Sequence, residues 1–297
     1  MSRLRTTLIA GACCLFWALL GAVIGLVFRH PLAGLIWGLL LGSVYTIACS
    51  YAAPKFPGDA WNAKLLENIN APNLYEMLHA LCDRTGQALP TLYYIPCPEP
   101  NAFVSAGRDG ETAVIVTSGL TKHLEKDEVQ AVMALMMARL ATGEVPAWTL
   151  AATLSGVPVA AGLSWQRRPS LALLGNFWLS VFAFPSALLT RLAWNEKALT
   201  ASDDHAAHLT EQAGSLARAL EKIEAGLTEE GAAAGNPATA LLFAVPPLLP
   251  EAAEAPLWRR GLESFPFRSP DASVRAARFA DVVPSYVSEP AEEFRFY

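Results

Sequence analysis

The chain has 297 residues, of which 53% are hydrophobic and 16% are charged, whereas a soluble domain carries about 25% charged residues. Its mean hydropathy of +0.30 is also on the apolar side, so the composition argues against an ordinary soluble domain. The formal net charge of −5 gives nucleic-acid binding no electrostatic support, because that role needs a surplus of Lys and Arg to neutralise phosphates.

Four apolar runs account for the low charge content, at residues 7–28, 31–52, 145–165 and 170–189. Each is close to the ~20 residues that a helix needs to cross a bilayer. Burial in a large soluble core is the alternative, but two adjacent uncharged runs of this length are rare in soluble proteins. The first run is also too long for the apolar region of a cleaved signal peptide. We therefore predict four transmembrane helices.

The runs divide the chain into four parts. Residues 1–53 hold two transmembrane helices, residues 54–144 form a soluble part, residues 145–193 hold two more transmembrane helices, and residues 194–297 form a second soluble part. Lys and Arg are more frequent on one side of the predicted helices, which indicates the cytoplasmic side. We therefore expect the N-terminus and both soluble parts to be cytoplasmic. The basic residues on this side are Arg3, Arg5, Lys55, Lys64, Arg191 and Lys197.

The first soluble part has the pattern of a small α+β unit. Apolar residues at helical spacing predict a helix over 73–83, and short apolar stretches predict strands over 92–95, 102–105 and 113–117. A second helix is expected over 127–142, with acidic residues in its first turn that complement the helix dipole.

The second soluble part is mainly helical. Residues 194–209 and 211–227 are each expected to form a helix, and a short helix is expected over 270–279. Residues 228–256 are rich in Ala, Gly, Glu and Pro, so we expect a mobile loop there. Its apolar island at 241–245 predicts either a short packed helix or a contact with the membrane surface.

Three short motifs accompany this order of elements. Leu89-Pro90 leads into a strand and then Asn101-Ala102-Phe103, residues 113–120 read AVIVTSGL, and residues 127–134 read DEVQAVMA. With two membrane helices on either side, this order resembles the HtpX-type membrane zinc metallopeptidases, relatives of the CAAX prenyl proteases. The resemblance covers nearly the whole chain. It implies a multi-pass protein of the bacterial inner membrane, α+β but mostly α, with a zincin-like (gluzincin) domain and a small β-sheet.

The chain departs from this family where the chemistry lies. Family members carry H-E-x-x-H on the helix at 127–142, with two His ligands for zinc and a Glu as general base. The resemblance places these roles on Leu135, Met136 and Arg139. It places the third ligand on Leu199, or on Thr200 if the register shifts by one, and a further His on Ser269. Leu offers no lone pair, Met has no exchangeable proton and Arg is permanently charged. We therefore expect no catalysis and no cofactor, and the resemblance implies a pseudopeptidase.

Two alternatives to a pseudopeptidase remain. His205 and His208 are one helical turn apart and could supply relocated ligands, in an active zinc metalloendopeptidase of membrane-protein quality control. The simpler interpretation is that these two histidines belong to an exposed polar face of the helix. A transporter is the second alternative, but the four apolar runs contain no Asp, Glu or Lys that would mark a pathway.

A catalytically inactive member of such a family could still bind peptides or proteins, or act as a scaffold or regulator in a membrane complex. In zincin-type folds an extended peptide pairs with an edge strand beside the zinc helix. We expect that edge at 113–117, with 101–104 as its neighbour. The candidate groove residues are Asn101, Ala102, Phe103, Ala113, Val114, Ile115 and Val116.

Arg139 requires a counter-charge if it faces the core, because a buried and unpaired charge is costly. Asp203 is the first candidate partner, and Asp204, Glu196 and Glu144 are others. We expect an ion pair between Arg139 and Asp203 to replace the metal as the link between two helices.

Overall fold

A computed structural model describes residues 2–107, 109–210, 213–227, 236–247 and 274–277. Four of its helices are long and apolar enough to cross a membrane: α1 (Ser2–Val27), α2 (Pro31–Ala52), α7 (Val145–Gln166) and α8 (Ala172–Ala193). They coincide with the four predicted runs. The chain is therefore mostly helical with a small mixed sheet and four membrane helices, as predicted.

Glycines allow α1 and α2 to pack backbone to backbone. A Cβ added at Gly21 would meet the carbonyl oxygen of Gly34 at 2.2 Å and the Cα of Gly38 at 2.8 Å. Such close approach is the means by which small residues associate helices in membranes. By contrast, a Cβ at Gly11 on the same helix would meet nothing within 4 Å. Glycine is therefore required only where the two helices are in contact.

Pro158 lies inside α7 and has no N–H to donate to the carbonyl four residues earlier. That carbonyl belongs to Leu154, and the hydroxyl of Tyr45 on α2 donates to it over 2.7 Å. The membrane bundle thus supplies from another helix the hydrogen bond that the proline removes, as helix-breaking residues in membranes require.

The soluble part between the two membrane pairs contains the short helices α3 (Phe56–Ala60) and α5 (Ser118–His123), the longer α4 (Pro72–Thr85) and α6 (Lys126–Ala141), and four strands. Helix α4 buries Leu74, Leu78 and Leu81 on one face, as its sequence pattern predicts. It ends at Gly86, whose φ of +66° is a left-handed conformation that favours glycine.

The strands are β1 (Lys64–Leu65), β2 (Thr91–Ile95), β3 (Ala102–Ala106) and β4 (Thr112–Thr117), in the spatial order β1-β2-β4-β3. Strands β2 and β4 are parallel, and the other two pairs are antiparallel. The expectation that 113–117 forms the sheet edge is therefore wrong. Strand β4 is internal because β2 pairs with its far side, and the two edge strands are β1 and β3.

Helix α6 begins with a capping box, in which the side chains of Glu125 and Glu128 each accept from the other's backbone N–H. Glu128 is buried and also forms ion pairs with Lys222 and Arg218, which lie on α10 (Ala213–Ala225). Helix α6 also packs against β3, α4 and α9 (Glu196–Thr210). Most of its residues are consequently buried, and it forms the centre of the soluble core.

The predicted mobile loop at 228–256 contains a packed segment, which corrects the expectation for that part. Residues Pro237–Leu242 form a 3₁₀-helix, and Leu241, Phe243 and Val245 are buried in the core. The side chain of Asn236 donates to the carbonyl of Gly156 on α7 over 2.8 Å. Burial of these apolar side chains favours the packed-helix alternative for the island. The rest of the loop lies outside the described residues.

Candidate functional site

The α6 positions that the family resemblance singles out are all in the core. Leu135 and Met136 have no exposed surface, and Arg139 is 1% exposed. Because residues four apart lie on the same helix face, Leu135 and Arg139 are neighbours along α6. Leu199 is also buried, on α9, which packs along α6. The structure thus places these positions on two packed helices, whereas Ser269 lies outside the described residues.

Within the described residues, the side chain of Arg139 donates only to backbone carbonyls. Its Nη1 donates to the carbonyl oxygens of Leu242 and Phe243 over 3.1 and 2.6 Å, and its Nη2 donates to that of Ala244 over 3.3 Å. The Nε is buried and has no acceptor in the part of the chain that the structure describes. Hydrogen bonds from a charged donor are stronger than neutral ones, so this guanidinium fixes the segment from Leu242 to Ala244 against α6.

Asp203 pairs with a different arginine. Nε and Nη2 of Arg275 donate to its two carboxylate oxygens over 2.8 and 2.6 Å, and Nη1 of Arg275 donates to the carbonyl of Ala244 over 2.6 Å. Among the described residues no carboxylate forms an ion pair with Arg139. The predicted pair of Arg139 with Asp203 is therefore wrong. The two-pronged fork of Arg275 engages both carboxylate oxygens, and the carbonyls satisfy Arg139 instead.

Burial and neighbouring charge perturb the pKa of Arg139. Burial is the largest cause, the positive charge of Arg275 acts in the same direction, and the negative charge of Asp203 opposes both, so that the pKa falls to about 9. Arg139 therefore remains a cation at neutral pH. In this buried cluster, defined by Arg139, Asp203 and Arg275, the carboxylate pairs with Arg275, and backbone carbonyl dipoles stabilise the positive charge of Arg139.

The residues at these positions do not fit a zinc ion. Zinc binds thiolate, imidazole or carboxylate groups, whereas Leu135, Met136 and Leu199 offer none and Arg139 places a cation on the same face. His205 and His208 are exposed on α9, away from this buried face. Within the described residues no group of three His, Cys, Asp or Glu side chains is placed to hold a metal ion.

The candidate peptide groove is filled by the protein itself. The seven groove residues are buried, and the outer edge of β3 is covered from two directions. The backbone N–H of Ala244 donates to the carbonyl of Ala102 over 2.7 Å, and Thr149 of α7 accepts from the N–H of Ala106 over 3.1 Å. The two predicted strands are thus adjacent, as expected, but neither presents a free edge here.

Sequence reasoning missed the role of residues 242–245, because backbone carbonyls that accept from a distant arginine leave no signature in the side chains. The Asp203–Arg275 pair was missed as well, because the two residues lie 72 positions apart in the chain and no local pattern shows that they meet.

Comparisons with known proteins agree with this architecture. The family profile described as Peptidase family M48 matches residues 68–254. The "Protease HtpX homolog" of Thermococcus sibiricus is 30% identical over 228 residues, which cover 72% of this chain and 78% of that protein. That of Syntrophobacter fumaroxidans is 29% identical over 261 residues, covering 83% and 90%. No solved structure matches. The chain therefore belongs to peptidase family M48, as a multi-pass membrane protein of the HtpX type.

Proposed function

We propose that this protein is a catalytically silent HtpX-like membrane protein, which serves as a peptide- or protein-binding scaffold or as a regulatory component of a membrane complex. The observation that carries the proposal is the position of Arg139. Its guanidinium lies in the core on the face where the resemblance expects a zinc ligand, and its hydrogen bonds are committed to backbone carbonyls. A second cation on this face would be repelled.

The chemistry of the neighbouring positions supports the same proposal. A zinc peptidase needs a metal that lowers the pKa of a bound water, and a carboxylate that takes the proton from that water. Leu135 and Leu199 cannot bind the metal, and the thioether of Met136 cannot accept a proton usefully. With both functions missing, what the fold retains is its capacity to hold a peptide or a partner protein.

The proposed location is the bacterial inner membrane, with the soluble domain in the cytoplasm. Two surfaces are then available to a partner: the membrane helices and the soluble domain. Helices α1 and α2 expose many large apolar side chains, including Leu15, Leu19, Ile36 and Leu40. These suit contacts with lipid and with helices of a partner.

The alternative is an active zinc metalloendopeptidase with relocated ligands. The name of the relatives, "Protease HtpX homolog", favours it, as does the exposed pair of His205 and His208 on α9. Two imidazoles one turn apart can bind a metal ion when a third ligand is supplied by another group.

Metal content separates the two candidates. We would measure zinc by inductively coupled plasma mass spectrometry on detergent-purified protein, beside the variant His205→Ala/His208→Ala. The matched control is His79→Ala/His123→Ala, which removes two exposed histidines elsewhere. We expect no stoichiometric metal in any of the three proteins and no cleavage of casein. About one zinc per chain, lost only in the first variant, would replace our proposal by the alternative.

A further inference from the structure

A stretch of the chain's own C-terminal part pairs with the edge of the sheet. Phe243 forms an antiparallel bridge with Phe103 of β3, and their rings lie 4.4 Å apart. Next to this bridge, the N–H of Ala244 donates to the carbonyl of Ala102 over 2.7 Å. An extended segment that adds main-chain bonds to an edge strand is the arrangement by which many proteins bind peptides.

Side chains of the domain fix this segment at both ends. Asn101 donates from Nδ2 to the carbonyl of Val245 over 2.8 Å, while its Oδ1 accepts from the N–H of Ala102 over 2.9 Å. Arg139 binds the carbonyls before that point, and Arg275 binds the carbonyl of Ala244. Every carbonyl from residue 242 to residue 245 therefore accepts from a side chain.

The register of the sheet shows which peptide groups of β3 this segment covers. Asn101 bonds to Thr117 of β4 through its backbone, and Gly107 bonds to Glu111. Because hydrogen-bonding directions alternate along an antiparallel strand, the peptide groups of Ala102, Val104 and Ala106 point away from β4. The N–H of Val104 thus lies on the side of β3 along which the segment runs, and its exchange with solvent reports on the segment directly.

We propose that the edge of β3 together with Arg139 forms a peptide-binding site, and that residues 242–245 are its resident ligand. This inference deepens the proposed function and rests on it. The site takes an extended apolar peptide by main-chain pairing with β3 and by guanidinium bonds to carbonyls. In a zinc peptidase a metal cation would polarise a substrate carbonyl; here a guanidinium binds the carbonyls of a segment that is held without cleavage.

Tethering favours the internal segment over a peptide added from outside. A segment that belongs to the same chain as its site can reach an effective concentration of the order of millimolar, well above that of a free peptide added at micromolar concentration. Weakening the internal segment should therefore make the site accessible to a peptide with the same sequence added in trans.

The test uses Ala244→Pro in the full-length protein. Proline has no N–H, so the internal segment loses its bond to Ala102, whereas the site itself is unchanged. The probe is a fluorescein-labelled peptide with the sequence of residues 240–247, Ala-Leu-Leu-Phe-Ala-Val-Pro-Pro, followed by a solubilising lysine tail. We expect the variant to bind this peptide and the wild type to bind it at least tenfold more weakly. Amide exchange at Val104 should be about tenfold faster in the variant, as expected for the loss of ~1.4 kcal/mol.

Two controls make the result specific. Ala244→Gly keeps the N–H and should behave like the wild type in both measurements. A probe peptide that carries proline in place of the alanine corresponding to Ala244 should bind neither the wild type nor either variant. Exchange in α4, which is distant from the segment in sequence, should stay slow if the fold is intact. If Ala244→Pro does not fold, Asn101→Asp keeps the acceptor for Ala102 but places an anionic oxygen against the carbonyl of Val245, and faster exchange at Val104 is again expected.

Two outcomes would overturn the inference. Unchanged exchange at Val104 in a folded Ala244→Pro variant would show that the segment does not cover the strand. Faster exchange without binding of the probe would show that the uncovered strand is not a peptide site. Binding followed by cleavage of the probe would refute catalytic silence but would leave the peptide site itself supported, so the two proposals fail separately.

Discussion

At the scale of single residues, Asp203 supplies the negative charge in the buried cluster that it forms with Arg139 and Arg275. We predict that Asp203→Asn destabilises the protein by about 3–5 kcal/mol, because removing one partner of a buried ion pair leaves an uncompensated charge. Here the two guanidinium groups would remain buried without an anion. Thermal unfolding in detergent measures the loss, and Asp83→Asn on the exposed face of α4 is the control with no large effect.

A second substitution distinguishes charge imbalance from loss of packing. Asp203→Asn/Arg275→Met removes one cation as well as the anion, so the double variant should be more stable than Asp203→Asn alone. If the losses in free energy of unfolding caused by Asp203→Asn and by Arg275→Met simply add in the double variant, the loss does not come from unbalanced charge.

Arg139 illustrates how far sequence reasoning reaches at this scale. Its burial and its need for partners follow from a helix whose faces are mostly apolar and from the cost of a lone buried charge. The identity of its partners does not follow, because the carbonyls of Leu242, Phe243 and Ala244 are about a hundred positions away and every residue type carries one. Prediction from side-chain charge therefore chose Asp203, which the structure assigns to Arg275.

At the scale of elements, the hydroxyl of Tyr45 connects α2 to the proline of α7. We predict that Tyr45→Phe costs roughly 1 kcal/mol, because the carbonyl of Leu154 loses its donor inside the bilayer. The effect should nearly vanish in a Pro158→Ala background, where the restored N–H of residue 158 can donate to that carbonyl. Melting temperatures of the four proteins of this cycle in detergent provide the measurement.

Tyr51→Phe on the same helix is the matched control, since its side chain is exposed and the change should leave stability near that of the wild type. An equal loss from Tyr45→Phe in both backgrounds would mean that the hydroxyl does not compensate for the proline. In that case the hydroxyl would stabilise the protein whether or not residue 158 is a proline.

The elements differ in how well the sequence specifies them. The four membrane helices are determined locally, since each needs only a long run of apolar residues, and they were predicted correctly. The order of the strands is not local. Strands β3 and β4 are consecutive in sequence and pair with each other, whereas β2 pairs with the far side of β4 although β3 lies between them in sequence. The continuous apolar run of β4 fits a strand buried on both faces, but it does not identify the strand that lies on its far side.

At the scale of the whole molecule, a contact joins the start of the membrane bundle to the soluble domain. Arg5 near the beginning of α1 lies 3.5 Å from the carboxylate of Glu144, which precedes α7. Two spans separate the N-terminus from the first soluble part, and two more separate the first soluble part from the second, so all three lie on one side of the bundle. The turns near Arg29 and Arg167 lie on the other, so a single measurement of orientation decides the location of every soluble residue.

The excess of Lys and Arg on the side of the soluble parts predicts that this side faces the cytoplasm. An alkaline phosphatase joined after Arg168 should therefore be active in a bacterial host, because it would be exported. The same enzyme joined after Tyr297 should be inactive. Green fluorescent protein at these two positions should give the reverse pattern, since it matures in the cytoplasm. If the phosphatase is active only at the C-terminus, the bundle is inverted and any partner of the soluble domain must be sought outside the cytoplasm.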